Sequence, residues 1–156
     1  MSIQISEELK RIIQDKSSLK ILGTVDGKGV PHLAGKGSID VDEEGTLYYL
    51  ELLEGSLTNK NMIRSLWFNK PVAILVVSGD RRSFHILAKP VKTLVANHVF
   101  EKYYELAQSR NPDNDLAAVY YFDVLEVRES GYAKRKQEEE ALHPLYEHLD
   151  RRAVNR

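Results

Sequence analysis

Residues 19–52 read LKILGTVDGKGVPHLAGKGSIDVDEEGTLYYLEL, and this stretch carries the strongest fold signal in the chain. Two turns, Asp26-Gly27-Lys28-Gly29 and Asp42-Glu43-Glu44-Gly45, divide it into apolar, β-prone runs. Such runs between tight, glycine-containing turns are typical of antiparallel strands joined by hairpins. The stretch therefore predicts three antiparallel strands in line, over 19–25, 30–41 and 46–52.

The rest of the chain adds three more predicted strands, over 72–77, 83–94 and 118–127. Val72–Val77 is apolar at every position, which is typical of a strand buried on both faces. Helices are predicted over about 6–16 with Ser6 as N-cap, from Asn97 to about 110, and in a segment before Pro71 whose inward stripe is Met62, Ile63, Leu66 and Trp67. Long strands that are apolar on both faces need closure or covering, so we expect a mainly β (α+β) fold, a six-stranded antiparallel barrel with peripheral helices.

Composition limits the classes of function. The chain has 156 residues, with 22 Lys+Arg against 23 Asp+Glu and a net charge of −1, so we expect one domain that does not rely on a basic surface to bind nucleic acid or membranes. The absence of cysteine excludes disulfides, thiolate nucleophiles, iron–sulfur clusters and Cys-based zinc sites. No targeting segment or long apolar window is recognisable, which predicts a cytoplasmic protein.

The segment Gly55-Ser56-Leu57-Thr58-Asn59-Lys60-Asn61 lies between a predicted strand and a predicted helix. A helix start has unpaired N–H groups and a partial positive charge, and an acidic residue in the first turn usually offsets it. This segment has no acidic residue but has two hydroxyls and Lys60, an arrangement that favours a bound phosphate. Alternatively, Thr58 or Asn59 is an ordinary N-cap and Lys60 a solvated side chain.

Gly35 and Gly37 lie inside a predicted strand, where they leave no side chain to pack. This pattern has two interpretations. Either a flat molecule approaches the strand there, or the glycines form a bulge where the strand bends around a barrel.

The five histidines form no metal-binding pattern, so no metal site is predicted. We expect His32 and His85 to be strand residues, and His143 and His148 to lie on the surface of the tail.

Four motifs in order resemble the pyridoxamine 5′-phosphate oxidase-like, FMN-binding split-barrel family, from about Leu19 to about Tyr132. They are a "-G-x-P-H-" hairpin that contains His32, a "-G-x-L-Y-" strand after Gly45, an "-S-x-x-x-K-x-N-" helix entry that contains Lys60, and an "-N-x-P-V-A-" strand start at Asn69. Each motif is loose, and it is their order that is specific.

The resemblance implies a six-stranded split barrel that forms a homodimer with FMN between the subunits. Residues 1–132 would be the flavin-binding domain and 133–156 a charged C-terminal helical tail. The family's phosphate contacts fall on Ser56, Thr58, Asn59, Lys60 and Asn61. Its isoalloxazine contacts fall on Gly35, Lys36, Gly37, Leu50 and Glu51. Many members have an arginine where this chain has Asn59, and the arginine-rich substrate site of a true pyridoxamine 5′-phosphate oxidase is not recognisable.

The sequence leaves several functions open, and no residue stands out as a general acid or base. The first is a flavin-dependent oxidoreductase acting on an unidentified small molecule, with FMN as cofactor. A second is a non-catalytic FMN or haem carrier or sensor on the same barrel, since some split-barrel relatives bind haem through a C-terminal histidine. A third is a cofactor-free interaction module.

Overall fold

The computed structural model describes residues 2–144. In this part of the chain it has seven strands: β1 (Leu19–Val25), β2 (Pro31–Gly35), β3 (Ile39–Val41), β4 (Leu47–Glu51), β5 (Val72–Val77), β6 (Ser83–Leu94) and β7 (Ala118–Glu129). Four helices accompany them: α1 (Glu7–Gln14), α2 (Leu57–Trp67), α3 (His98–Arg110) and α4 (Tyr132–Leu142). The predicted α+β class is confirmed, and so are the caps of α1 and α3, where Ser6 and Asn97 accept the backbone N–H of Leu9 and Phe100.

The strands form one antiparallel sheet in the order β2-β1-β5-β6-β7-β4-β3. Its two edge strands, β2 and β3, are consecutive in the chain and joined by residues 36–38 alone. Because four extended residues reach at most about 14 Å, the two edges must lie close together. The sheet therefore curls into an open half-barrel with a narrow split between β2 and β3.

The expectation of six strands is wrong, because the predicted strand over 30–41 breaks at Lys36–Ser38. The backbone N–H of Lys36 still bonds to Lys20 of β1 (2.8 Å), whereas pairing resumes at Ile39 with Tyr49 of β4. The chain leaves one edge of the sheet here and joins the other. No turn signal such as Asp-Gly or Pro marks the break, which is why the sequence pattern does not reveal it.

The main core fills the inside of the curled sheet. Leu9 and Ile13 of α1 pack into it, together with Met62 of α2 and the inward side chains of the strands. On β5 burial alternates, with Val72, Ile74 and Val76 buried and the intervening residues half-buried. The sequence predicts a strand that is buried on both faces, but in the structure one face is buried more deeply than the other.

The inward stripe predicted for α2 is wrong at two positions. Trp67 is 77% exposed and Ile63 is also exposed, whereas Thr58, Asn61, Met62 and Ser65 face the core. Residues spaced three or four apart share a helix face, so a polar stripe at 58, 61 and 65 faces inward and Ile63 and Trp67 lie opposite it. Polar partners inside the fold allow that face to be buried.

A second cluster covers the outer face of β4 and β7. Tyr48, Leu50 and Val119 pack there against Val99, Phe100 and Tyr103 of α3. By contrast, large apolar side chains on the outer face of β1 and β2 are exposed, namely Leu19, Val25 and Leu33. None of the helices within residues 2–144 has the length and apolarity to cross a bilayer.

Candidate functional site

A cleft of about 770 Å³ opens at the split between β2 and β3. Three segments line it: residues 35–38 at the break, residues 50–53 at the end of β4, and the end of α3 with the loop after it, which contribute Ala107, Arg110, Asp113, Asn114 and Asp115. Five predicted site residues line this cleft, Gly35, Lys36, Gly37, Leu50 and Glu51. The structure therefore brings together the two segments, 13 to 16 residues apart in sequence, that the resemblance assigns to the cofactor ring.

Gly35 and Gly37 leave the cleft wall bare. A Cβ placed on either residue meets no atom within 4 Å beyond its own chain neighbours, so nothing in the fold needs the missing side chain there. Neither residue has a positive φ, in contrast to Gly29 and Gly45 in the turns. A bulge that requires positive φ therefore does not account for these glycines, and both face open space in the cleft.

Glu51 is a carboxylate with no solvent exposure at the end of β4. It accepts the hydroxyl of Tyr49 and, at 3.0 Å, the backbone N–H of Leu53. The Nζ atom of Lys36 lies 3.6 Å from its Oε1 and 5.6 Å from the centre of the Tyr49 ring. Burial, with the bond to Glu51, raises the pKa of Tyr49 far above its usual value, so the phenol stays protonated and acts as a donor.

The start of α2 is built around a side-chain cap. Ser56, not Thr58 or Asn59, is the N-cap residue, and its Oγ accepts the backbone N–H of Asn59 at 3.0 Å. The first turn contains no acidic residue. The side chain of Lys60 is exposed.

The three other residues assigned to a phosphate are buried. Asn61 donates to Thr24 Oγ1 at 3.0 Å, and Thr58 is enclosed. Asn59 uses both ends of its amide: Nδ2 donates to the carbonyl of Glu54 (2.9 Å) and Oδ1 accepts the hydroxyl of Tyr120 (2.6 Å). Of the five residues, Ser56 and Lys60 are the two whose side chains reach the surface.

A buried chain of contacts joins the start of α2 to the cleft. Asn59 bonds to Tyr120, whose ring stacks on Tyr49 at 6.0 Å between centres, and Tyr49 bonds to Glu51. Burial raises the pKa of Tyr120 to about 12, so this phenol also remains a donor. Sequence reasoning missed the role of the two tyrosines: the pairs Tyr48-Tyr49 and Tyr120-Tyr121 suggest aromatic packing, but nothing local shows which hydroxyl meets a polar partner.

The histidines do not form a site in the described residues. No group of three or more His, Asp or Glu side chains within residues 2–144 is placed to hold a metal ion. His143 follows α4 as its C-cap residue, and His148 lies outside the described residues.

No protein-family model and no curated protein matches the sequence. Solved structures do match. HupZ of Group A Streptococcus has a TM-score of 0.65 and 22% identity over 82% of this chain and 95% of that chain. A "putative pyridoxamine 5′-phosphate oxidase" from Lactobacillus delbrueckii has a TM-score of 0.57 and 22% identity over 80% and 93%. An FMN-binding protein from Syntrophomonas wolfei has a TM-score of 0.62 and 11% identity over 78% and 83%.

These structural similarities cover most of each chain at low sequence identity, so they show a shared fold and not a shared function. They match the curled antiparallel sheet and the helices around it, as the ordered motifs predict. The chain therefore has the pyridoxamine 5′-phosphate oxidase-like split-barrel fold, which it shares with proteins described as FMN-binding.

Proposed function

We propose that this protein binds FMN at the cleft and uses it to transfer electrons to or from a small molecule. The observation that carries the proposal is the bare wall at Gly35 and Gly37, which faces open space in a cleft also lined by Lys36, Leu50 and Glu51. A flat ring needs such a wall, because any larger side chain would occupy its place.

The residues of this chain fit the two ends of FMN differently. The cleft supplies an apolar wall at Leu50 and a donor at Lys36 for the ring. The start of α2 supplies free N–H groups, the Ser56 hydroxyl and the Lys60 ammonium for the phosphate, with no acidic side chain in the first turn to oppose it. When bound, FMN would supply the two-electron chemistry, and the protein would supply position and electrostatics.

Purified protein offers a direct test of this function. A yellow solution with a flavin spectrum, or saturable binding of added FMN by apoprotein, would support it. Turnover of NAD(P)H with an acceptor dye would then show catalysis, whereas stable FMN binding without turnover would indicate a carrier. No binding of FMN at micromolar concentration would contradict the proposal.

Lys60→Ala should weaken FMN binding without unfolding the protein. The change removes one charge-assisted contact, worth roughly 1.5–3 kcal/mol, which corresponds to a loss of about tenfold or more in affinity. Fluorescence titration of the apoprotein measures it. Lys70→Ala, which removes an exposed lysine beyond the other end of α2, is the matched control and should leave the affinity unchanged. Equal affinities in all three proteins would remove Lys60 from the phosphate site.

We also propose that the protein is a homodimer, as the resemblance implies. The apolar outer face of β7 is covered by α3. The outer face of β1 and β2 has exposed apolar side chains instead. There Leu33, 71% exposed, lies opposite Gly23. Gly23 in turn lies opposite Ala73 of β5, and Ala73 lies opposite Leu87 of β6. This flat apolar face suits a second copy of the chain.

Light scattering should give a mass near twice 17.8 kDa, and Leu33→Lys should reduce it towards the monomer value. A lysine on that face would have to be buried against apolar side chains in the dimer, which costs several kcal/mol. The control is Leu142→Lys on α4, outside the sheet, where the leucine is similarly exposed (75%). A wild-type monomer that binds FMN tightly would contradict the two-chain site.

A further inference from the structure

The side chains of Lys36 and Glu51 form an ion pair but differ in their exposure to solvent. The carboxylate has about 1% of its side chain exposed, whereas 16% of the Lys36 side chain is exposed at the cleft. Of the two charged groups, the ammonium is therefore the more accessible to a ligand in the cleft.

A carboxylate without water needs both hydrogen bonds and a compensating charge. The Tyr49 hydroxyl and the Leu53 N–H supply the hydrogen bonds, and Lys36 supplies the charge from 3.6 Å. Nζ also lies over the Tyr49 ring, 5.6 Å from the ring centre, where a cation–π contact is favourable. The position of this cation is thus set by groups that a ligand does not contact.

We propose that Glu51 is a positioning residue that holds the Lys36 ammonium at the cleft and offsets its charge, so that the cleft does not strongly prefer reduced FMN, whose ring is anionic, over oxidised FMN, whose ring is neutral. This inference rests on the proposed function. Lys36 alone would favour the reduced form with its anionic ring, and Glu51 limits that preference.

The first test uses apoprotein and needs no cofactor. Urea unfolding is compared for the wild type, Lys36→Met, Glu51→Gln and the double variant. Lys36→Met should lower the urea midpoint most, because it removes the countercharge of the buried Glu51 carboxyl group, and the second change should restore part of that loss. Strictly additive effects would show that Glu51 does not hold Lys36 and would overturn the proposal.

The second test compares the dissociation constants of oxidised FMN and of anaerobically reduced FMN. Glu51→Gln should favour the reduced form by about tenfold relative to wild type, equivalent to roughly +30 mV in a two-electron potential. Glu54→Gln, the same charge change at an exposed loop residue, is the control and should shift the ratio far less. A Glu51 that is only structural would weaken both forms equally, and that result would overturn the proposal.

Substitutions of Lys36 test the same proposal without changing the buried Glu51 carboxylate. Lys36→Met should shift the ratio about tenfold in the opposite direction, whereas Lys36→Arg, which keeps the charge, should stay near the wild-type ratio. Equal ratios in these two variants would contradict the proposal. If the wild type binds neither form of FMN, the proposed function fails together with the role in FMN binding, and the urea experiment still decides whether Glu51 holds Lys36.

Discussion

Gly35→Val should abolish most FMN binding while the apoprotein melts close to the wild-type temperature. Gly35 lies in β2 with ordinary strand backbone, and its new Cβ would meet only open space, so the fold has room for valine. Valine also suits a strand better than glycine does. A ring against this wall would have to move, at a cost of about 1–3 kcal/mol, or roughly 5- to 150-fold in affinity.

Two other glycines provide matched controls for this prediction. Gly45 has a φ of 86°, so Gly45→Val should destabilise the fold by strain in the turn. Gly23→Val should destabilise it by crowding, because a Cβ there lies 3.1 Å from Leu33 and 3.3 Å from the Ala73 carbonyl. For Gly45→Val, FMN affinity per folded molecule should stay near wild type, whereas Gly23 lies in the proposed dimer face, so Gly23→Val is compared for stability alone. A large fall in the apoprotein melting temperature of Gly35→Val, with normal FMN affinity, would remove Gly35 from the site.

Asn59→Ala should destabilise the fold by roughly 3 kcal/mol, far more than it affects the intrinsic affinity for FMN. The change removes the acceptor of the Tyr120 hydroxyl and the donor to the Glu54 carbonyl, and it leaves the buried phenol without its 2.6 Å partner. Urea unfolding of apoprotein measures the loss. Since Lys60 is the next residue and is exposed, Lys60→Ala is the control and should leave the unfolding free energy within about 0.5 kcal/mol of wild type.

A double-mutant cycle makes the reason for that loss testable. Tyr120→Phe removes the hydroxyl, so Asn59→Ala should cost less in that background than in the wild type. If instead Asn59→Ala melts like the wild type but loses FMN, Asn59 is a cofactor ligand, as the resemblance implies, and not a structural residue.

Much of the candidate site could be predicted because its two ring segments flank a short hairpin. Residues 35–37 and 50–51 are joined through a single turn, so their proximity follows from antiparallel pairing alone. The phosphate segment is proposed from residue types, but residue types do not show which side chains turn inward. Asn59 and Lys60 are adjacent and both polar, yet one bonds to Tyr120 inside the fold and the other faces solvent.

The sequence by itself determined the caps of α1 and α3 and, to within two residues at each end, the bounds of every predicted strand except the one over 30–41. These features depend on alternation, turn residues and capping side chains within a few positions of one another. Tertiary structure alone decided that residues 30–41 divide between opposite edges of the sheet, that α2 buries a polar face, and that Glu51 pairs with Lys36. Each of these depends on partners brought close by the curl of the sheet, and the energy of a buried polar group depends on those partners rather than on its neighbours in sequence.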